Sequence, residues 1–274
     1  MAKIRQYYDP PGVPLVVDAD PQVAVDAWWT QRSRLRTWLD ELDDADWDGP
    51  TRCAGWDTHL LVRHLGSACQ FLGYTLHEAA GNMPTTLLRG MDTRTTVAAA
   101  AEGLGDQTPE QARALLADTD AAVDAALGRL GPDGLAATAE GPPGHMAAHL
   151  VVSHFLFDSW VHEYDLLLPR GERPPVDVVE VTVVVGYLAG LAAVATASSV
   201  SFELRLDHPD LLIAVAADGP VTTVSFGSSL RGAGVIEGAA PDVIDRMTGR
   251  PGDAVTGDVP ALAVIDEFAN VLAT

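Results

Sequence analysis

Lysine is almost missing from this chain: of its 17 basic residues, 16 are arginine and only Lys3 is lysine. Together with abundant Ala, Gly, Asp and Val, that bias is what a genome rich in G and C writes, and it says nothing about chemistry. Basic charge as a whole is scarce, since 17 Lys and Arg against 38 Asp and Glu leave a formal net charge of −21. This balance argues against a surface built to hold nucleic acid or an anionic membrane and leaves a small molecule or a protein as partner. Cysteine is scarce too. Cys53 and Cys69 are the only two, one in a loop and one in a helical stretch, so no disulfide framework supports the fold. The opening "MAKIRQYYDPPGVPLVVDAD" has no uninterrupted apolar region between a basic start and a small-residue cleavage site, and shows no secretory signal. The most apolar run, "VTVVVGYLAGLAAVATA", carries two glycines and many alanines and falls short of a membrane span. The expected location is the cytoplasm.

What is present is enough apolar material, 47% of 274 residues, for one large core or two ordinary ones. Helical periodicity dominates the first 198 residues. Asp20 followed by Pro21 is an N-cap and N1 pair opening a first helix over "PQVAVDAWWTQRSRLRTWLDELDD". After the turn-rich "WDGPTRCAGW", Asp57 caps a second helix, which Gly81 is expected to end in the left-handed conformation. Thr108, Pro109 and Gln111 form a capping box for a third, running to Gly131. A fourth is predicted from about His145 to Leu168, stopped by Pro169 and about 36 Å long. These four suit a bundle, with a weaker helical segment near 84–104 and an Ala-rich one at 176–198 packed around it. From Val200 the period becomes two: "VSFELRLD" alternates, and "LLIAVAADGPVTTVSFG" reads as a hairpin turning at Asp218 and Gly219. Short helices follow at 241–248 and at 259–272, the latter capped by Asp258. The expected fold class is therefore α+β, with a helical bundle over residues 1–198 and a small α+β domain over 199–274.

One segment of the fourth helix asks for a chemical explanation. "SHFLFDSWVHEYDLLL", residues 153–168, sets His154, Asp158, His162 and Asp165 at intervals of four, four and three, which stacks them on one helical stripe. Asp158 and His162 point into one space, and Asp165 is placed to orient an imidazole. Two ligands from one helix do not close a metal site, so a third must come from a neighbour. In the second helix, Leu60, Leu61, His64, Leu65 and Ala68 share a face, which puts His64 within an apolar stripe. His64, Asp158 and His162 make a candidate set of two histidines and one carboxylate for a divalent metal with open positions, zinc first, with nickel, manganese and iron also compatible. An ionised Asp158 would gain from the metal the opposite charge that burial demands. Against this stands a plainer reading: a lone His on an apolar face is commonly a satisfied core residue, and an Asp–His pair at i, i+4 a helix-surface contact. His154 is placed to support the site or line a pocket mouth, with an ordinary surface position as the simpler reading. His145 and His149 have ligand spacing, but "HMAAH" lacks the glutamate of HExxH and reads as structural or exposed. Cys53 near His59 or His64 suggests a thiol nucleophile for which the sequence fixes no base, and Cys69 reads as a small core residue.

The segments "TRCAGWDTHLLVRHLGSACQFL" and "FDSWVHEYDLL" resemble the two signature segments of the mycothiol-dependent maleylpyruvate isomerase family, within the DinB-like metal-binding four-helix bundles. In the first, a Gly-Trp precedes the helix carrying the first metal histidine; the second holds an acidic residue, a histidine four later and an aspartate three beyond it. The resemblance extends over the full length, because family members commonly add a small sterol-carrier-like α+β domain. It implies that His64, Asp158 and His162 bind the metal and that Asp165 supports His162. The chain departs from the family in one ligand: the acidic residue is usually glutamate, and Asp158 is one methylene shorter, which would pull the ion toward the fourth helix or weaken it. In "RMTGRP", Gly249 and Arg250 match a Gly-Arg of the family's C-terminal domain, which implies that Arg250 faces the cleft and clamps an anionic substrate; taken alone, Arg250 reads as an exposed structural residue. The implied activity is metal-dependent use of a low-molecular-weight thiol, mycothiol, either to isomerise a small electrophile such as maleylpyruvate or to transfer the thiol to it. The alternative from another class is a non-catalytic metal- or small-ligand-binding regulatory protein.

Overall fold

The computed structural model describes residues 4–252 and 254–272. Its helices begin where the caps lie. In α1 (Pro21–Glu41) the Asp20 carboxylate accepts from the Gln22 amide at 3.0 Å; in α2 (Thr58–Ala80) Asp57 accepts from Leu60 at 2.8 Å. The box of Thr108 and Gln111 opens α4 (Pro109–Gly134). Each such cap satisfies an amide that the helix itself leaves without a partner. With α5 (Ala148–Leu167) these helices close a ring in which α1 packs on α5, α5 on α2, α2 on α4 and α4 on α1, while α3 (Thr93–Gly103) lies against α2. This is the expected four-helix bundle.

Three boundaries depart from expectation. Gly81 has φ −87°, and it is Asn82, at φ 56°, that takes the left-handed position. The Gly81 amide still bonds back to Glu78, so the chain reverses one residue later, on a short polar side chain that tolerates this conformation. α4 runs past Gly131, which breaks the helical path at φ 62°, ψ 175° before a last turn led by Pro132. The fourth bundle helix starts three residues late because 144–147 form β3 (Gly144–Ala147), an antiparallel ribbon with β2 (Thr138–Gly141). α5 is accordingly about 30 Å long.

Helix α6 (Val178–Ala195) is long and apolar enough to cross a membrane by length and composition alone, unlike the sequence expectation, but 72% of it is buried inside the protein. One side meets α1 and α5; the other meets the sheet, and α7 (Ala240–Met247) and α8 (Val259–Leu272) pack on it as well. A helix covered along most of its length needs no polar face.

The sheet has six strands in the order β1-β6-β5-β4-β7-β8. β5 (Asp210–Ala216) and β6 (Thr222–Phe226) form the predicted hairpin, β4 (Phe202–Asp207) pairs antiparallel with β5 to extend it into a meander, and β7 (Gly234–Gly238) joins β4 in parallel. β8 (Thr256–Gly257) closes that edge. The far edge is β1 (Leu15–Val17), parallel to β6 with Leu15 opposite Thr222. Residues that precede α1 thus belong by hydrogen bonding to the C-terminal sheet. Glu203 of β4 is buried, and its carboxylate accepts from the Leu230 amide and from Arg205.

Candidate metal centre

The site lies where α2, α5 and the loop before α2 meet. The loop is tied in its own turns: Pro50 bridges Asp57, and the Thr51 hydroxyl donates to the Trp56 carbonyl at 2.8 Å. Trp56 then sets its ring edge-on to His64, with centroids 5.6 Å apart. His64 is 6% exposed on the inner face of α2, between Leu61 and Leu65.

Across from it, α5 presents Asp158 and His162 one turn apart. His64 Nε2 lies 3.3 Å from Asp158 Oδ2, and His162 Nε2 lies 3.6 Å from Asp158 Oδ1. The two imidazoles are 4.9 Å apart between centroids and nearly perpendicular, at 83°. These separations bear on whether the residues suit a metal. A tetrahedral ion with bonds of about 2.05 Å sets its ligand atoms about 3.3 Å from one another, and the imidazole-to-carboxylate distances sit close to that edge length. One candidate ligand atom from each of the three residues lies within 4.8 Å of the others. The shorter Asp158 therefore reaches both imidazoles. Burial acts to raise its pKa, but His64 and His162 outweigh that and hold the carboxylate ionised, well below its ordinary value.

Asp165 fixes the other edge of His162. Its Oδ2 accepts from His162 Nδ1 at 2.9 Å, which assigns the proton to Nδ1 and leaves the Nε2 lone pair facing Asp158 and His64. Asp165 has no exposed surface; burial pushes its pKa up, and hydrogen bonds from His162 and Arg250 bring it far below the ordinary range. Arg250, reaching in from beyond α7, binds both oxygens of Asp165: Nε donates to Oδ1 at 2.8 Å and Nη2 to Oδ2. Its Nη1 takes the Thr248 carbonyl. The reading of Arg250 as an exposed residue is thus corrected: it is half-buried beside the site, with every guanidinium nitrogen on a protein acceptor.

His154 is also not a surface residue. It is 7% exposed, and its Nδ1 pairs with the Tyr187 hydroxyl of α6 at 2.9 Å. That contact ties α5 to α6 by one buried hydrogen bond. Burial lowers the imidazole pKa to about 4, keeping it neutral. His145 Nε2 and His149 Nδ1 bond the carbonyls of Thr85 and Leu135, both structural contacts.

Sequence reasoning left out two participants, Arg52 and Asp245, and set Cys53 near His59 or His64. Cys53 instead meets Asp165 and His162: its Sγ donates to Asp165 Oδ2 at 3.3 Å and lies 3.7 Å from His162 Nδ1. Burial, with the Asp165 charge, pushes its pKa up to about 12, so it is a thiol and a poor nucleophile at neutral pH. Arg52 donates from Nε to Asp165 Oδ1 at 2.8 Å, and Asp245 of α7 accepts from both terminal nitrogens of Arg52. The one signal for Arg52 was a lone basic residue following the acidic run "ELDDADWDGPT", without a local partner.

Residues 28–167, just over half of the chain, match a family model described as the mycothiol maleylpyruvate isomerase N-terminal domain. Two crystal structures of the mycothiol-dependent maleylpyruvate isomerase, one of them a histidine-to-alanine variant, are similar over 89% of this chain and 95% of theirs. The variant gives a TM-score of 0.61 at 17% identity, and the other structure 0.60 at 18%. That likeness shows a shared fold of helical region and sheet-rich region. No curated protein sequence matches the chain significantly.

Proposed function

The chain belongs to the mycothiol maleylpyruvate isomerase N-terminal domain family, and from that premise we propose that it is a metal- and thiol-dependent enzyme acting on a small electrophile. Mycothiol is the proposed cosubstrate, and maleylpyruvate, which the family and its structural relatives carry in their names, is the first substrate to test. The observation that carries the reading is the spacing of His64, Asp158 and His162, which suits one divalent ion, zinc first.

A divalent ion held there would supply a Lewis-acid position that keeps a small thiol as thiolate at neutral pH. The chain's own residues prepare for this. Asp165 accepts a hydrogen bond from the Nδ1–H of His162, which directs Nε2 to where Asp158 and His64 would hold an ion. Asp158 brings one negative charge, which leaves an open site with net positive charge for an anionic ligand. Cys53 remains protonated and does not compete with the external thiol. Isomerisation then needs a carbon–sulfur bond formed by conjugate addition to the cis double bond, rotation about the resulting single bond, and expulsion of the thiolate to restore the alkene as trans. Transfer ends at the addition, with the resulting enolate taking a proton from water. Arg250 supports this chemistry through Asp165, and two of its N–H groups remain for an anionic substrate. Action in the cytoplasm is part of the proposal, and both cysteines are free.

The deciding experiment is metal content of chelator-free protein, wild type beside His162→Ala, followed by proton NMR of maleylpyruvate with and without mycothiol. About one equivalent of metal in the wild type alone, and mycothiol-dependent conversion of the cis to the trans acid, support the proposal. Metal without any thiol-dependent reaction on this or other electrophiles favours the binding-protein reading; no metal even after zinc is supplied removes the metal centre.

A further inference from the structure

Asp165 receives more donors than the orientation of one histidine requires. Its Oδ2 accepts from His162, Cys53 and Arg250; its Oδ1 accepts from Arg250 Nε and Arg52 Nε, each at 2.8 Å. The two arginines reach it from opposite ends of the chain. Arg52 sits in the loop before α2, where its own amide also donates to the Asp165 carbonyl at 3.1 Å. Its Nη1 and Nη2 go to the two oxygens of Asp245 at 2.8 and 3.1 Å, a bidentate pair. Asp245 in turn accepts the Arg250 amide on its main-chain carbonyl at 2.7 Å. Two arginines and two aspartates form a closed unit whose formal charges cancel, so two guanidinium groups stand beside a cation site without adding net repulsion.

We propose that Arg52 is a positioning residue that couples the seating of α7 to the metal affinity of His162. The coupling deepens the proposed function and rests on its metal centre. The physical path is short. Asp245 fixes the plane of the Arg52 guanidinium; Arg52 Nε and Arg250 Nε together hold Oδ1; with Oδ1 held, the carboxylate cannot rotate and Oδ2 stays on His162 Nδ1. Loss of the Arg52–Asp245 contact frees Arg52 to swing toward water, since its side chain is 18% exposed, and leaves Arg250 alone on Asp165. The carboxylate is then held by the Arg250 fork alone, its Oδ1 having lost one of two donors, and His162 loses part of the preorganisation that favours Nε2 coordination. By linkage, a metal ion on His162 strengthens the seating of α7 by the same factor.

The test is cobalt(II) binding to the full-length protein, read by visible absorption and by competition with a chelator of known affinity, in wild type, Asp245→Asn, Arg52→Lys and Arg52→Met. Asp245 touches neither the metal ligands nor Asp165, and asparagine keeps its shape, so this variant remains informative if Arg52→Met fails to fold. The expected result is an affinity loss of about three- to tenfold for Asp245→Asn and about ten- to hundredfold for Arg52→Met, with an altered cobalt spectrum in both. Arg52→Lys, which cannot span both carboxylates, should fall between wild type and Arg52→Met. The double variant Arg52→Met with Asp245→Asn should bind no more weakly than Arg52→Met, because the second change acts only through the first. Wild-type affinity and spectrum in Asp245→Asn and in a folded Arg52 variant would overturn the coupling and leave Arg52 a structural tether with the metal centre intact. Absence of cobalt binding in the wild type would overturn the metal centre and the coupling together.

Discussion

At the scale of single residues, the site separates groups that bear charge from groups kept neutral. Asp158 and Asp165 are held ionised by the imidazoles and guanidinium groups around them, while burial keeps Cys53 a thiol and His154 a neutral base. His64→Ala and His162→Ala should each abolish metal retention while leaving far-ultraviolet circular dichroism unchanged, because a deleted cavity-lining polar group costs a bundle of this size on the order of 1 kcal/mol. Collapse of cooperative unfolding in both variants would instead make the stripe structural. Cys53→Ser should keep the metal, and wild-type Cys53 should resist iodoacetamide at pH 8.5, where a thiol of ordinary pKa is about half ionised; rapid alkylation at that pH, located by mass spectrometry, would contradict a pKa near 12.

His154 gives a pH prediction whose sign follows from linkage. Its folded-state pKa of about 4 lies below the ordinary imidazole value of 6.5, so between those values the unfolded chain binds a proton that the folded chain does not. The stability associated with the neutral imidazole is fully present above pH 6.5 and is lost as pH falls toward 4, amounting to on the order of 3 kcal/mol. His154→Gln preserves an acceptor for Tyr187 and removes the titration. Urea denaturation from pH 7 to 4 should show a shallower loss in that variant; equal slopes would show that His154 does not carry the effect.

At the scale of elements, α6 decides how bundle and sheet meet. Gly186 and Gly190 stand where the helix crosses the strands, and a Cβ on Gly190 would come within 2.5 Å of Leu15 Cδ1 and 2.7 Å of Val224 Cγ2. Leu15 and Val224 lie on β1 and β6 and are themselves buried. Gly190→Ala gains about 1 kcal/mol in helix propensity but must displace a packed strand pair, at a cost of about 1–3 kcal/mol. The expected net change in urea denaturation is a destabilisation of about 1 kcal/mol, and a more stable variant would show that the interface has slack. The same element explains a limit of sequence reading. Its glycines and alanines counted against a membrane span, but only the neighbours on its two sides show that the run is a buried helix.

At the scale of the whole molecule, chain order and spatial order part company. β1 precedes the bundle yet closes the sheet, and Arg52 pairs with Asp245 across 193 positions of sequence. A chain ending at residue 198 would keep His64, Asp158 and His162 but would expose the sheet-facing side of α6, unpair β1 and remove Arg250 and Asp245. It should therefore aggregate or elute as an expanded species on size-exclusion chromatography. A compact monomer retaining metal at wild-type affinity would show the bundle to be self-sufficient.

The sequence by itself determined the local features: caps at Asp20, Asp57 and Thr108, the switch to period two near residue 200, and the placing of Asp158, His162 and Asp165 on one stripe. These follow from helix and strand geometry, which act over a few residues and leave a period in the text. His64 was legible at one remove, as a polar break in an apolar face. Only the tertiary structure decided that His64 meets that stripe at ligand spacing, that His154 turns inward to Tyr187, that β1 joins the sheet, and that Arg52, Arg250 and Asp245 close around Asp165. Each of these is a contact between segments distant in sequence. A single guanidinium or carboxylate has no periodicity to announce it, and its partner is chosen by packing.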